Sequence, residues 1–145
     1  MDPNPVIDFN RRNIEEFRRR NGHLGGQFEG APVLLLTTTG AKSGQRRTSP
    51  MMYLADEHDP NRVYVFASAG GADQNPAWYH NLVAHPDDLG VEIGTEALHA
   101  TAEVLREPER GDVYAIQAGR YPGFADYQAG TSRQIPVVAL TLRRP

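Results

Sequence analysis

The chain has 145 residues, 39% hydrophobic and 23% charged, with a formal net charge of −3. That is the size and make-up of a single soluble domain over 1–145, able to bury a core without covalent staples. The absence of cysteine excludes disulfides, thiolate catalysis and Cys-ligated zinc, and the net acidity argues against a general nucleic-acid binder. No N-terminal apolar run reads as a signal peptide and no stretch approaches a membrane span, so the cytoplasm is the expected compartment.

Asn4-Pro5 reads as an N-cap followed by proline at the first helical position. The helix is expected to reach about Arg20 and stop at Asn21-Gly22. Val6, Ile7, Ile14 and Phe17 share one face, with Phe9 at its edge, while Arg11, Arg12, Arg18 and Arg19 lie mostly elsewhere. The expectation for residues 1–22 is a helix docked on the body, capping a barrel or covering a pocket. The competing reading is a basic amphipathic helix touching anionic lipid, a peripheral contact on the inner face of the cell membrane.

After a glycine-rich connector, strand patterns dominate. Val33–Thr39 is an apolar then β-branched run suited to a buried strand. Residues 48–55 follow, with Pro50 placing that strand at an edge or a bulge. "HDPN" is a hairpin turn. In 62–69, Val63, Val65 and Ala67 alternate with Tyr64, Phe66 and Ser68. Shorter candidates lie at 90–93, 97–106 and 136–142. Six strands with little room for crossover helices predict a mainly antiparallel small barrel. Two helical stretches interrupt it. In "DQNPAWYHNLVAHP", Asn75 is the expected cap, with Trp78, Leu82, Tyr79 and Val83 packing inward. A second stretch starts at Pro108 and breaks at Pro122-Gly123, and a short helical turn through Phe124 and Tyr127 follows.

Three motifs carry chemistry. In "GAKSGQRR" the glycines allow close backbone approach, and Lys42, Arg46 and Arg47 suit a phosphate or carboxylate. It is not a Walker loop, because the lysine precedes the second glycine; a solvated β-turn is the bland alternative. In "FASAGGADQNPAWYHNL" a strand end with two glycines precedes a capped helix, a place where a flat ring could lie with Trp78 as a wall. In "RYPGFADYQAGTSRQIP" the three-residue spacing of Tyr121, Phe124 and Tyr127 predicts one helical face, either core or an aromatic pocket mouth. The five histidines form no metal-binding pattern, and neither GxSxG nor GxGxxG occurs. Difficult chemistry would therefore come from a bound organic cofactor.

Taken in order, "LLLTTTGAKSGQRRTSPMMYL", "ASAGGADQNPAWYHNL" and "YPGFADYQAGTSRQIPVV" resemble the deazaflavin-dependent nitroreductase and quinone reductase family of actinobacteria, over about 32–138. The resemblance implies a split β-barrel of the flavin-reductase and pyridoxamine-phosphate-oxidase type, and reduced coenzyme F420 as hydride donor to a quinone or activated enone. Carried over residue by residue, it implies that Lys42 and Arg47 contact phosphate or the acidic tail, helped by Ser43, Gly44 and Gln45, with Arg46 facing the tail. Pro50, Met51 and Met52 would lie along the ring system. Ala67, Ser68, Ala69, Gly70 and Gly71 would form the strand end near deazaflavin and substrate, with Asn75 and Trp78 following. Ser68, Tyr121 and Tyr127 are the implied hydroxyl donors, and Tyr121, Phe124 and Tyr127 the implied substrate pocket. Members that reduce bicyclic nitroimidazoles carry tyrosine at the position of Phe124 and a tryptophan near Gly130, so weak or no nitroimidazole reduction is expected here. Related flavin-binding barrels are commonly dimers, which makes a homodimer the implied assembly. Alternatives on the same residues are an FMN-dependent oxidoreductase and a non-catalytic carrier of the deazaflavin or a lipid.

Overall fold

The computed structural model describes residues 5–144, of which 5–8 and 27 are described by their backbone alone. Its elements are α1 (Pro5–Arg19), β1 (Val33–Thr39), β2 (Arg46–Met52), β3 (Leu54–Ala55), β4 (Arg62–Phe66), α2 (Ala77–Ala84), β5 (Leu89–Ile93), β6 (Glu96–Val104), α3 (Glu109–Arg120), α4 (Gly123–Ala129) and β7 (Val137–Arg143). The strands form one antiparallel sheet in the order β2-β1-β5-β6-β7-β4-β3.

Among the described residues there are seven strands where six were expected, because residues 48–55 do not form one strand. They divide at Tyr53 into β2, which pairs with β1, and β3, which pairs with β4. These two are the opposite edges of the sheet. A single residue bridges them, and consecutive Cα atoms are only about 3.8 Å apart. The sheet must therefore roll until its edges meet, giving a mainly β, barrel-like body. Pro50 sits in edge strand β2 opposite Leu35, as its missing N–H requires.

Side-chain alternation sorts the core. Leu34 and Leu36, Val63 and Val65, Leu89 and Val91, and Val138, Leu140 and Leu142 point into the barrel. Helix α2 adds Leu82 to this cluster, and Trp78 and Tyr79 pack against it. Val83, expected to pack inward, is instead 52% exposed. The opposite face of β4 and β7 presents Tyr64, Phe66, Val137 and Ala139 to α3 and α4. The opposite face of β1 presents Val33 and Leu35 to Phe17 of α1. Phe17 is 1% exposed, so its burial contributes about 2–3 kcal/mol to docking of α1. The helix ends where expected: Asn21 and Gly22 both take positive φ, 56° and 97°. Expected core positions Val6 and Ile7 lie outside the described side chains.

The β3–β4 hairpin is built by carboxylates. Asp56 Oδ1 accepts the backbone N–H groups of His58 (2.8 Å) and Asp59 (2.9 Å), and its Oδ2 accepts the Tyr64 hydroxyl (2.5 Å). The Tyr64 bond, then those two amides, hold the Asp56 carboxyl well below the usual range, at about 2. A depressed carboxylate adds stability above its unfolded pKa and loses it as pH falls through the folded value. Asp56→Asn is therefore expected to lower stability at neutral pH by about 1 kcal/mol after solvent screening. Denaturant titrations should show that deficit shrinking between about pH 4 and pH 2. A deficit that stays constant across this window would refute the linkage.

Candidate functional site

Between α1, the β1–β2 loop, β2 and α2 lies a cleft of about 1090 Å³. The loop at 40–45 brings Lys42 to it, and the first residues of β2 bring Arg46 and Arg47. The loop closes on itself, Gly40 N donating to Gln45 O (2.8 Å) and Gly44 N to Gly40 O (3.0 Å). Gly44 has φ 70°, and a Cβ on Gly40 would collide with Ser43 Oγ. Gly44 supplies the positive φ that the turn needs, and a side chain at Gly40 would displace the Ser43 hydroxyl. Ser43 Oγ accepts the Gln45 N–H (3.1 Å). From α2, Asn81 braces the loop: its Oδ1 accepts Ala41 N–H (3.0 Å) and its Nδ2 donates to Thr38 Oγ1 (3.2 Å).

The cations here are divided by their partners. Arg46 Nη1 donates to Thr39 Oγ1 (3.0 Å), Asp88 O (3.1 Å) and Asp88 Oδ1 (3.2 Å). The Thr39 hydroxyl first, then Arg46, holds the Asp88 carboxyl below its ordinary value. Arg18 of α1 grips Glu92 of β5 with two bonds, 3.0 and 2.8 Å, which raise its own pKa. Lys42 has no hydrogen bond or ion pair among the described residues, and Arg47 donates only to the neutral Gln45 Oε1 (3.0 Å). Two exposed cations without acidic partners thus face the cleft. This is a donor set for an anion such as a phosphate or a carboxylate tail, and the residues present fit coenzyme F420.

The residues singled out by sequence fall into two groups. Lys42, Ser43, Arg46, Arg47 and Trp78 line the cleft, with Gly44 and Gln45 in the same loop. Pro50, Met51 and Met52 are half-buried in β2 and do not line it; Met51 packs on the barrel core and Met52 on the two outer clusters. The second group surrounds the end of β4. Ala67 is fully buried, and its N–H bonds to Pro136 O (3.0 Å). Ala69, Gly70 and Gly71 follow with φ of 47°, 64° and 87°. A Cβ on Gly71 would lie 3.1 Å from the backbone of Tyr127, so this loop sits directly against α4. Ser68, Tyr121 and Tyr127 are half-buried.

Two local expectations need correction. Asn75 does not cap α2. Pro76 holds the cap position without a side-chain bond, and Asn75 Oδ1 instead accepts Arg133 Nη1 (2.7 Å). Nor do the three aromatics share one helix. Tyr121 terminates α3, while Phe124 and Tyr127 belong to α4. Phe124 is 8% exposed, with ring centroids of Phe66, Tyr114 and Tyr127 at 5.6, 6.4 and 5.2 Å. It is a core residue of the α3–α4 layer, not part of an open pocket mouth.

Sequence reasoning expected residues 1–22 to cap a barrel or cover a pocket, but it did not single out the wall residues Asn10, Arg11, Ile14, Glu15 and Arg18, nor Ala77, His80 and Asn81 of α2. The i, i+3, i+4 spacing of positions 11, 14, 15 and 18 was the available signal. For Asn81 there was none, because its partners are 40 and 43 residues away. Among the described residues no cluster of three or more His, Asp or Glu could hold a metal, and no helix is long and apolar enough to cross a membrane.

Comparison with known proteins identifies the family and the fold. The model of the F420H(2)-dependent quinone reductase family matches residues 9–142. The F420H(2)-dependent quinone reductase Rv1261c of Mycobacterium tuberculosis is 40% identical over 134 residues, 88% of this chain and 85% of the relative. A solved F420-H2 dependent reductase, FDR-A, superposes with a TM-score of 0.66 at 37% identity, covering 75% of this chain and 93% of that one. A domain-swapped dimer gives 0.67 at 31% identity over 94% and 99%. For the fold alone, a Listeria innocua structure assigned to the pyridoxamine 5'-phosphate oxidases gives 0.55 at 13% identity over 78% and 85%. The barrel is thus a split barrel of the pyridoxamine-phosphate-oxidase type, and the chain belongs to the F420H(2)-dependent quinone reductase family.

Proposed function

We propose that this chain is an F420-dependent oxidoreductase that reduces a quinone to its hydroquinone. The observation that carries the reading is that Lys42 of the 40–45 turn and Arg47 at the start of β2 face a large cleft with no acidic partner among the described residues, in a chain of this family. Reduced coenzyme F420, when bound, supplies a hydride. Lys42 and Arg47 would hold its phosphate and acidic tail, and Trp78 walls the cleft. A quinone that gains a hydride develops negative charge on oxygen and needs a proton. Ser68, Tyr121 and Tyr127 are the candidate hydroxyl donors for that oxygen, with solvent replacing the proton given up. Helix α1 serves as a wall of the cleft: Phe17 is spent on the barrel and Arg18 on Glu92, which favours docking over lipid contact. The homodimer is supported by the domain-swapped relative.

Charge-assisted bonds contribute about 1.5–3 kcal/mol each. Lys42→Ala or Arg47→Ala is therefore expected to weaken F420 binding by about one to two orders of magnitude. Asn81→Ala, which frees the loop from α2, should weaken it by about tenfold without removing a charge. Fluorescence titration of F420 beside FMN reads all three, and equal or tighter FMN binding by the wild type would refute the cofactor assignment. Steady-state turnover with a quinone separates the enzyme from a carrier.

Menadione-like quinones or cyclic enones should be reduced at least about tenfold more efficiently than bicyclic nitroimidazoles, a preference that membership of a quinone reductase family supports. Phe124→Tyr is expected to lower stability by about 1–3 kcal/mol, the cost of burying a hydroxyl without a partner, and to leave the acceptor ratio unchanged. Comparable wild-type rates on both acceptors, or a variant shifted toward nitroimidazoles at full stability, would contradict this.

A further inference from the structure

The backbone between β4 and α2, residues 67–76, has no strand partner and contains only a three-residue 3-10 turn. Its own hydrogen bonds are Gly71 N to Ser68 O (2.8 Å) and Ala72 N to Ala69 O (3.2 Å). Ala69 holds φ 47°, a region that residues with a side chain rarely adopt. Left to itself, such a segment would exchange among many shapes. Yet it carries Ser68 and delivers the chain to Trp78 at the cleft.

One side chain organises it. Arg133 Nε donates to Ala72 O (2.8 Å), Nη1 to Asn75 Oδ1 (2.7 Å) and Nη2 to Ser68 O (2.8 Å). The three acceptors span the loop from its first turn to the threshold of α2. Arg133 is itself held, its carbonyl accepting Gln128 Nε2 of α4 (2.7 Å) while Gln128 Oε1 accepts Ile135 N–H (3.0 Å). Thr131 Oγ1 adds a bond to Asp73 (3.1 Å). Among the described residues Arg133 pairs with no carboxylate, so its fork is committed to carbonyl oxygens. Only a planar guanidinium presents donors in that spread; a lysine ammonium cannot reproduce it.

We propose that Arg133 is a positioning residue for the reductase: it fixes the 68–75 loop so that Ser68 and the start of α2 keep one relative placement. The inference rests on the reductase reading above. It also accounts for how the two groups of site residues, on the cleft and at the end of β4, are mechanically joined.

The test uses the full chain as wild type, Arg133→Lys, Arg133→Met and Asn75→Ala, the last removing one acceptor of three. Hydrogen exchange of the cofactor-free protein is followed at the Gly71 and Ala72 amides and, as an internal reference, in β1. Menadione reduction is measured at saturating reduced F420, and F420 affinity by fluorescence. Both Arg133 variants should speed loop exchange by about tenfold or more with β1 unchanged, and lower kcat by about 10–100-fold. Asn75→Ala should fall between them and wild type. F420 affinity should stay within about threefold, since Lys42 and Arg47 are untouched. Unchanged loop exchange overturns the proposal. So does equal acceleration in β1, which would mean general destabilisation, or faster loop exchange with wild-type kcat. A wild type inactive on quinones with reduced F420 would sink the reductase reading separately, and loop exchange would still decide whether Arg133 holds this segment.

Discussion

Everything in this molecule follows from the single residue, Tyr53, that joins the two edges of the sheet. Because β2 pairs with β1 and β3 pairs with β4, the chain can satisfy both only if the sheet is rolled. Rolling creates an inside, filled by alternate residues of β1, β4, β5 and β7, and an outside that must be covered. Helices α3 and α4 cover one outer patch and α1 another. The cleft is what remains between the α1 cover, the β1–β2 turn and α2, which plugs the barrel with Leu82.

The charge pattern of the cleft is a matter of which cations are already spent. Arg46 is committed to Asp88 and Arg18 to Glu92, so these residues hold strands and helix together. Lys42 and Arg47, which line the same cleft, have no acidic partner among the described residues. A net-acidic protein thereby keeps a small positive field where an anionic ligand would enter, without becoming a general polyanion binder.

Legibility in the sequence tracked locality. The strand at 62–66 was readable because Val63 and Val65 alternate with Tyr64 and Phe66, and each pair went to its own core. The edge position of β2 was readable from Pro50, the helix stop from Asn21-Gly22, and the cationic turn from its glycines and basic residues. What failed was non-local. Tyr53 looks like the interior of an eight-residue strand, and nothing nearby says that its neighbours pair with different partners. Asn75 before a proline has the local signature of a cap, but its partner Arg133 lies 58 residues on. Phe124 stands among Pro, Gly, Asp and Gln, which suggests an exposed turn, yet its ring faces Phe66 and Tyr114.

Asn81 and Leu82 are consecutive in α2, one bonded to the cationic turn and the other sealed in the barrel at 1% exposure. The backbone of the turn is therefore tied within one residue to a side chain buried in the barrel core. It is ordered when the chain folds, so capture of an anion costs mainly the side-chain freedom of Lys42 and Arg47. The exposed side chains at Lys42 and Gln45 can then vary in charge and reach while Gly44 and the frame beneath them stay fixed, which gives the scaffold a way to accommodate tails of different length.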